Sequence, residues 1–212
     1  MTVFYFIIEF LCGSLMFSYW LGLAAKKDLT KVGDGNPGAF NLWLAAGFKL
    51  GLLGVLLDFM KGYFPLVVLI QREMIRDLSI TTVAFASILG HAFSPFLRGR
   101  GGKAIAVTFG VWSAVTQFKV SLVYAVILAV LYVIARMVYK GENTPTETDG
   151  FMVVFGMWML GLYLFFRAFP YYLLLLWLEN SLLITYKNKG KLQVFFKDVY
   201  SKYWNRDTTI GM

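Results

Sequence analysis

Apolar residues run through this chain in long blocks, and polar residues gather in short clusters between them. The blocks cover approximately residues 3–25, 42–70, 78–96, 105–116, 120–139, 151–166 and 168–185. A helix needs about 20 predominantly apolar residues to cross the hydrocarbon core of a bilayer. Most blocks meet that length. Block 105–116 is short for a full crossing, and 42–70 has room for a short amphipathic entry followed by one span. Barrel strands would alternate apolar and polar positions, which these blocks do not. The pattern therefore predicts an all-α integral membrane bundle of about seven transmembrane helices.

Composition agrees with this reading. Hydrophobic residues make up 58% of the 212 positions and charged residues 15%, against about 25% charged in a soluble domain. The net charge is +8. In a membrane chain an excess of Lys and Arg marks cytoplasmic loops and attracts anionic headgroups, so membrane lipids are the expected partners and nucleic acid is not. Lys26, Lys27, Lys31 and Lys49 mark one cytoplasmic side. Arg98, Arg100 and Lys103 mark it again, as do Lys187, Lys189 and Lys191. The segments 72–77 and 117–119 and Arg167 carry less positive charge. The N-terminus is then outside and the C-terminus cytoplasmic, which requires an odd number of spans.

The first block lacks a basic flank before it and reads as a retained helix rather than a cleaved signal. The single Cys12 lies inside that block and reads as packing. Residues 140–150 form the one evident soluble loop, with Pro145 opposing helix. The chain divides into a transmembrane domain, 1–186, and a basic aromatic tail, 187–212. That tail suits an interfacial amphipathic segment as well as it suits a solvated extension.

Two polar clusters are unusually rich in glycine: V-G-D-G-N-P-G-A-F-N at 32–41 and R-G-R-G-G-K-A at 98–104. Glycine exposes backbone N–H groups and accepts positive φ, which lets a loop wrap an anion. In the first, Gly33, Gly35 and Gly38 offer backbone donors, and Asn36 and Asn41 add uncharged side-chain donors. Asp34 opposes a phosphate unless a cation stands between them. In the second, Gly101, Gly102 and Lys103 combine mobile backbone with a point charge. The spacing is not that of a nucleotide-binding P-loop. A plain turn for the first cluster and simple flanking charge for the second are the alternatives.

Asp58 and Lys61 stand three apart inside the second long block, placed either to neutralise one another or to meet a substrate. His91, the only histidine, precedes the second cluster and reads either as a base or orienting group or as a hydrogen-bonded structural residue. Glu179 and Asn180 need partners within the last block. The scattered His, Cys and carboxylates give no metal-ligand spacing, and no cofactor is implied.

Over roughly residues 13–110 these clusters and their flanks resemble the bacterial acyl-phosphate-dependent glycerol-3-phosphate acyltransferases, the PlsY family. G-S-L-M-F-S-Y-W-L-G is similar to the family's G-S-I-P-F-G-Y-L, and D-L-T-K-V-G-D-G-N-P-G-A-F-N to D-I-R-K-V-G-S-G-N-x-G-A-T-N. Asp58, Lys61 and Gly62 keep its D-x-x-K-G. G-H-A-F-S-P-F-L-R-G-R-G-G-K-A is similar to G-H-x-F-P-x-F-x-x-F-K-G-G-K-G. The departures are Asp34 for the family's serine, Leu44 for an arginine, Ser94 for a proline and Ala104 for a glycine. A third family motif, H-R-x-N, is matched only by Asn180 in W-L-E-N.

The resemblance implies acyl transfer in phospholipid synthesis at the inner (plasma) membrane, with the site facing the cytoplasm. The partners it implies are acyl phosphate and glycerol 3-phosphate. It implies catalytic roles for His91, Lys103 and Asn180. Substrate or phosphate binding would fall to Gly33, Asp34, Gly35, Asn36, Gly38, Asn41, Gly101, Gly102 and Lys61. The departures leave open a non-catalytic or altered-substrate paralogue that binds a lipid or partner with the same fold.

Overall fold

The computed structural model describes residues 1–204, so the last residues of the expected tail, 205–212, lie outside the described residues. Nine α-helices carry the described chain: α1 (Thr2–Ser14), α2 (Phe17–Ala24), α3 (Ala39–Ala46), α4 (Phe48–Gln71), α5 (Leu78–Ala92), α6 (Ile105–Thr116), α7 (Lys119–Val138), α8 (Thr146–Phe166) and α9 (Tyr171–Trp204). Short 3-10 turns at Leu29–Lys31 and Pro95–Leu97 sit in or beside the two glycine clusters. No β-strand occurs among the described residues.

Among the described residues, five segments are long and apolar enough to cross a membrane: Thr2–Ala24, Phe48–Gln71, Leu78–Leu97, Lys119–Val138 and Thr146–Phe166. The apolar α6 is shorter. It lies against α4, α5 and α7, so its faces are covered by protein. Trp112, Val107 and Val111 of α6 are fully buried beside Leu66, Val83 and Ile88, and the core continues through Met157, Leu160, Leu176 and Ile184 of α8 and α9. By contrast, Leu122, Val126, Val130 and Val133 leave one stripe of α7 exposed and apolar. Such a stripe is what a lipid-facing helix presents.

Close helix contacts rest on residues without side chains. A Cβ on Gly13 would stand 2.0 Å from the Ser87 carbonyl oxygen, and one on Gly90 2.1 Å from that of Phe10, so α1 and α5 touch backbone to backbone. Gly110 makes the same close approach of α6 to Phe59 of α4. Between apolar helices in lipid, tight packing of this kind supplies much of the attraction.

Two expectations about the elements are corrected. The first apolar block is not one helix, because the chain breaks at Leu15–Met16 between α1 and α2. The break frees backbone carbonyls that a buried chain must satisfy. Lys61 donates to Leu15 O, and Ser94 Oγ donates to Ser14 O at 2.7 Å. The soluble loop ends earlier than expected, since Thr146 already opens α8. Pro145 precedes the first turn, where its missing N–H costs nothing, and Glu147 and Asp149 suit the positive end of the helix. Past residue 186, α9 continues without interruption and carries basic residues of the expected tail as helix.

Candidate active site

The first glycine cluster is a folded loop with its own clamp. Gly33 and Gly35 adopt φ of 55° and 71°, which an L side chain rarely accepts. Asn41, at the start of α3, is buried, and its amide nitrogen reaches Val32 O at 2.6 Å, Asn36 O at 2.9 Å and Asp34 Oδ1 at 3.1 Å. An amide carries two N–H donors, so those of Asn41 are committed to the loop. Gly35 N donates to Val32 O, closing the turn. Gly38 caps α3, and a side chain there would collide with Asn36 Nδ2.

The second cluster is held from two sides. Gly102 N donates to His91 O at 3.1 Å, and Lys187 of α9 donates to Ala92 O at 2.9 Å and Gly101 O at 3.0 Å. A Cβ on Gly101 would meet His91 O at 2.0 Å, and one on Gly102 would meet His91 Nε2 at 2.3 Å. The glycine pair is therefore required by the approach of the loop to the end of α5. Arg98 and Arg100 are exposed and point elsewhere, lining a separate surface cavity with Tyr19, Thr30 and Phe96.

The two clusters meet at one carboxylate. Asp34 Oδ2 lies 2.7 Å from Lys103 Nζ and 3.0 Å from Lys191 Nζ, while its Oδ1 accepts from Asn36 N and Asn41 Nδ2. Burial raises the pKa of Asp34, but the hydrogen bonds and charges of Lys103 and Lys191 outweigh it and hold the carboxyl well below the usual range. For Lys103, burial lowers the pKa, and Asp34 opposes that fall. The carboxylate that looked awkward beside an anion is thus neutralised by two lysines from distant parts of the chain.

Two cavities adjoin this pair. One, of about 300 Å³, is lined by Ala39, Val55, Ala106 and Phe109, with Asp58 and His91 also at its wall. The other, of about 210 Å³, is lined by Asp34, Asp149, Asn188 and Lys191. Asn36, Phe40, Lys103 and Ile105 border both. A mainly apolar chamber and a charged chamber therefore share a wall that contains Lys103.

Behind this wall lies a buried polar chain. Ser18 Oγ donates to Asp58 Oδ2 at 2.6 Å, Asp58 Oδ1 pairs with Lys61 Nζ at 2.8 Å, and Lys61 reaches both Leu15 O and His91 Nδ1, the latter at 2.8 Å. An ammonium has three N–H donors and no acceptor. Lys61, expected among the substrate-holding residues, thus donates to two acceptors and ion-pairs with Asp58 inside the protein, and serves to position its neighbours. Because Lys61 can only donate, Nδ1 of His91 accepts and the ring proton sits on Nε2, against Gly102. His91 orients the second cluster and is poorly placed to take a proton.

Asn180 is not brought to the cavities. It is fully buried in α9, where its Oδ1 accepts from Thr108 Oγ1 at 3.2 Å. Two turns further along the same helix, Asn188 lines the charged chamber, and Lys191 follows it. The sequence reading counted Lys191 only as flanking charge and passed over Asn188. The available signal was spacing: Asn188 and Lys191 are three apart and share a helix face with each other and with Lys187.

The Glycerol-3-phosphate acyltransferase family model matches residues 3–198. Glycerol-3-phosphate acyltransferase 1 of Thermotoga maritima is 38% identical over 196 residues, covering 91% of this chain and 96% of the relative. The Aquifex aeolicus glycerol-3-phosphate acyltransferase is 30% identical over 191 residues, covering 90% and 93%. The crystal structure of PlsY (YgiH), an integral membrane glycerol 3-phosphate acyltransferase, in its glycerol 3-phosphate form superposes with a TM-score of 0.81 at 27% identity, covering 93% of this chain and 92% of that one. The same enzyme in its lysophosphatidic acid form gives a TM-score of 0.79 at 26% identity. The paired glycine clusters, the buried Asp58–Lys61–His91 chain and these likenesses along nearly the whole length agree: this integral membrane chain belongs to the glycerol-3-phosphate acyltransferase family.

Proposed function

We propose that the protein is a membrane acyltransferase that moves a fatty acyl group from acyl phosphate to the primary hydroxyl of glycerol 3-phosphate, giving lysophosphatidate for phospholipid synthesis. The observation that carries this reading is the shared wall. Lys103 stands where a charged chamber meets an apolar one, and the reaction joins a polar phosphate ester to an acyl chain.

In this reading the hydroxyl oxygen attacks the acyl carbon, the bond from that carbon to the phosphate oxygen breaks, and phosphate departs with the electron pair. A phosphate oxygen takes the hydroxyl proton. The mixed anhydride is already activated, so the protein's task is to align two anionic substrates and offset their charge. Lys103 and the Asn36 side chain supply donors beside the reacting groups, while Gly101 and Gly102 let the second loop lie against the end of α5. Gly33, Gly35, Gly38 and Asn41 keep the first loop in shape, and Lys61 through His91 does the same for the second. The carboxylate of Asp34 lends no support to an altered, non-phosphate acceptor, because two ammonium groups neutralise it.

We also infer that α6 and the first half of α9 complete a bundle of seven spans, with the N-terminus outside. The support is the placement of Lys26, Lys27, Lys31, Arg98, Arg100 and Lys187 at one set of helix ends, which the positive-inside rule assigns to the cytoplasm. The site then faces the cytoplasm of a bacterial plasma membrane.

The test is phosphate release from palmitoyl phosphate by the purified protein in detergent, with lysophosphatidate followed by mass spectrometry. Release that requires glycerol 3-phosphate is expected. Its absence, where the Thermotoga maritima relative turns over, would overturn the reading.

A further inference from the structure

The first glycine cluster resembles a family pattern that carries an arginine at the position of Leu44. Here Leu44 is apolar and 57% exposed, so that cation is missing. We infer that Lys191 of α9 replaces it: Lys191 is the second cation that holds the phosphate of glycerol 3-phosphate, and Asp34 keeps it beside Lys103 when no phosphate is bound. The inference rests on the acyltransferase reading for the identity of the ligand.

Four observations carry it. First, Lys191 and Lys103 meet the same oxygen of Asp34, at 3.0 and 2.7 Å, with side chains only 17% and 15% exposed. Two ammonium groups this close repel each other, so a shared anion is what makes the arrangement stable. Second, both lysines line the charged chamber of about 210 Å³, together with Asn36 and Asn188. Third, the position is built for a lysine stem. Gly150 in α8 faces it, and a Cβ there would stand 2.8 Å from Lys191 Cδ and 2.9 Å from its Cβ. Fourth, the neighbouring cations are otherwise engaged. Lys187 is bonded to two backbone carbonyls, and Arg98 and Arg100 line another cavity.

The charge arrangement fits a phosphate. The chamber also holds Asp149, which accepts from Thr144 Oγ1 at 2.7 Å and so has a partner of its own. Each ammonium has three donors, and the contact with Asp34 uses one of each. The remaining donors are available to phosphate oxygens, leaving the lysines between carboxylate and phosphate. Asp34 in place of the family's serine and Lys191 in place of its arginine then form one compensated exchange.

The experiment is isothermal titration of glycerol 3-phosphate into the full-length protein in detergent, with no acyl donor. It is run on wild type, Lys191→Gln, Lys191→Arg and the double variant Lys191→Gln/Leu44→Arg. Lys191→Gln is expected to weaken binding about 10- to 100-fold, the loss of one charge-assisted hydrogen bond. Lys191→Arg should stay near wild type, and Leu44→Arg should restore much of what Lys191→Gln loses. A size-exclusion profile shows that each variant is folded, and the near-wild-type Lys191→Arg controls for damage to α9. Unchanged affinity in Lys191→Gln would overturn the proposal, and so would no binding by wild type. Normal, Lys191-dependent binding without turnover would instead count against the acyl-transfer reading alone.

Discussion

Lys61 donates to Nδ1 of His91 across 2.8 Å and so ties the middle of α4 to the end of α5, directly beneath the glycine pair of the second cluster. The same ammonium pairs with Asp58 and closes the break between α1 and α2 through Leu15 O. One buried charge thus fixes three elements around the reacting centre. Removing one partner of a buried ion pair leaves the other charge uncompensated and costs about 3–5 kcal/mol, whereas replacing both with apolar groups of similar size costs far less. Lys61→Met should therefore lower the melting temperature in detergent sharply, and Asp58→Leu/Lys61→Met should recover a large part of the loss. Equal melting temperatures for the single and double variants would show that the pair does not hold the fold.

The pairing of Asp34 with Lys103 sets a pH dependence. Burial lowers the pKa of Lys103, and the hydrogen bond and charge of Asp34 oppose that fall. Phosphate binding needs the ammonium form, so affinity is lost as pH rises through the lysine pKa. Asp34→Asn takes away the opposing charge, and the pKa of Lys103 falls further. The alkaline limb of kcat/KM for glycerol 3-phosphate should move to lower pH in this variant. A limb that stayed in place would separate Asp34 from the charge state of Lys103.

Lys103 borders both chambers, so its removal should be felt by both substrates. Losing one preorganised donor at a developing charge costs about 10²–10³ in rate. Lys103→Ala should reduce kcat/KM by that order for glycerol 3-phosphate and for palmitoyl phosphate alike. A loss confined to one substrate would place Lys103 in one chamber only.

The glycines of the second cluster differ in what surrounds them. Gly101 stands against the carbonyl of His91, and backbone cannot move aside cheaply, while Gly99 has open space around it and a φ of 78°. Gly99→Ala should cost about 1 kcal/mol of backbone strain and leave KM nearly unchanged. Gly101→Ala should displace the loop from α5 and raise KM for glycerol 3-phosphate strongly. Steady-state kinetics on the two variants separates the cases, and equal behaviour would refute the packing reason for Gly101.

The all-helical apolar blocks and the two glycine-rich loops between them were legible in the sequence because both follow from local pattern: apolar block length for the helices, and clustered glycines for the loops. The Asp58–Lys61 pair was legible too, as two charges one turn apart that no lipid-facing helix could hold. The break at Leu15–Met16 was not, since nothing in an apolar run announces that Lys61, far away in sequence, will satisfy its carbonyls. Lys191 was hidden for a different reason. A lysine following an apolar span is what any cytoplasmic helix end shows, and only the packing of α9 against Gly150 of α8 distinguishes it.

Asn180 and Asn188 make that distinction testable within one helix. They are eight residues apart, about 12 Å along the axis at 1.5 Å per residue, and they lie close to one face. Asn180 is fully buried and accepts from Thr108, so its amide links α9 to α6. Asn188 donates to Ile184 O at 2.9 Å and still borders the charged chamber. Asn180→Ala opens space at a fully buried position and leaves Thr108 without its acceptor, a loss of about 1–3 kcal/mol that belongs in the melting temperature. Asn188→Ala removes a polar group from the chamber wall, and its effect belongs in KM for glycerol 3-phosphate. Thermal melts and steady-state kinetics on both variants should therefore cross over, Asn180→Ala moving stability more than KM and Asn188→Ala the reverse. The opposite pattern would return the reacting centre to the interior of α9 and detach it from the Asp34 lysines.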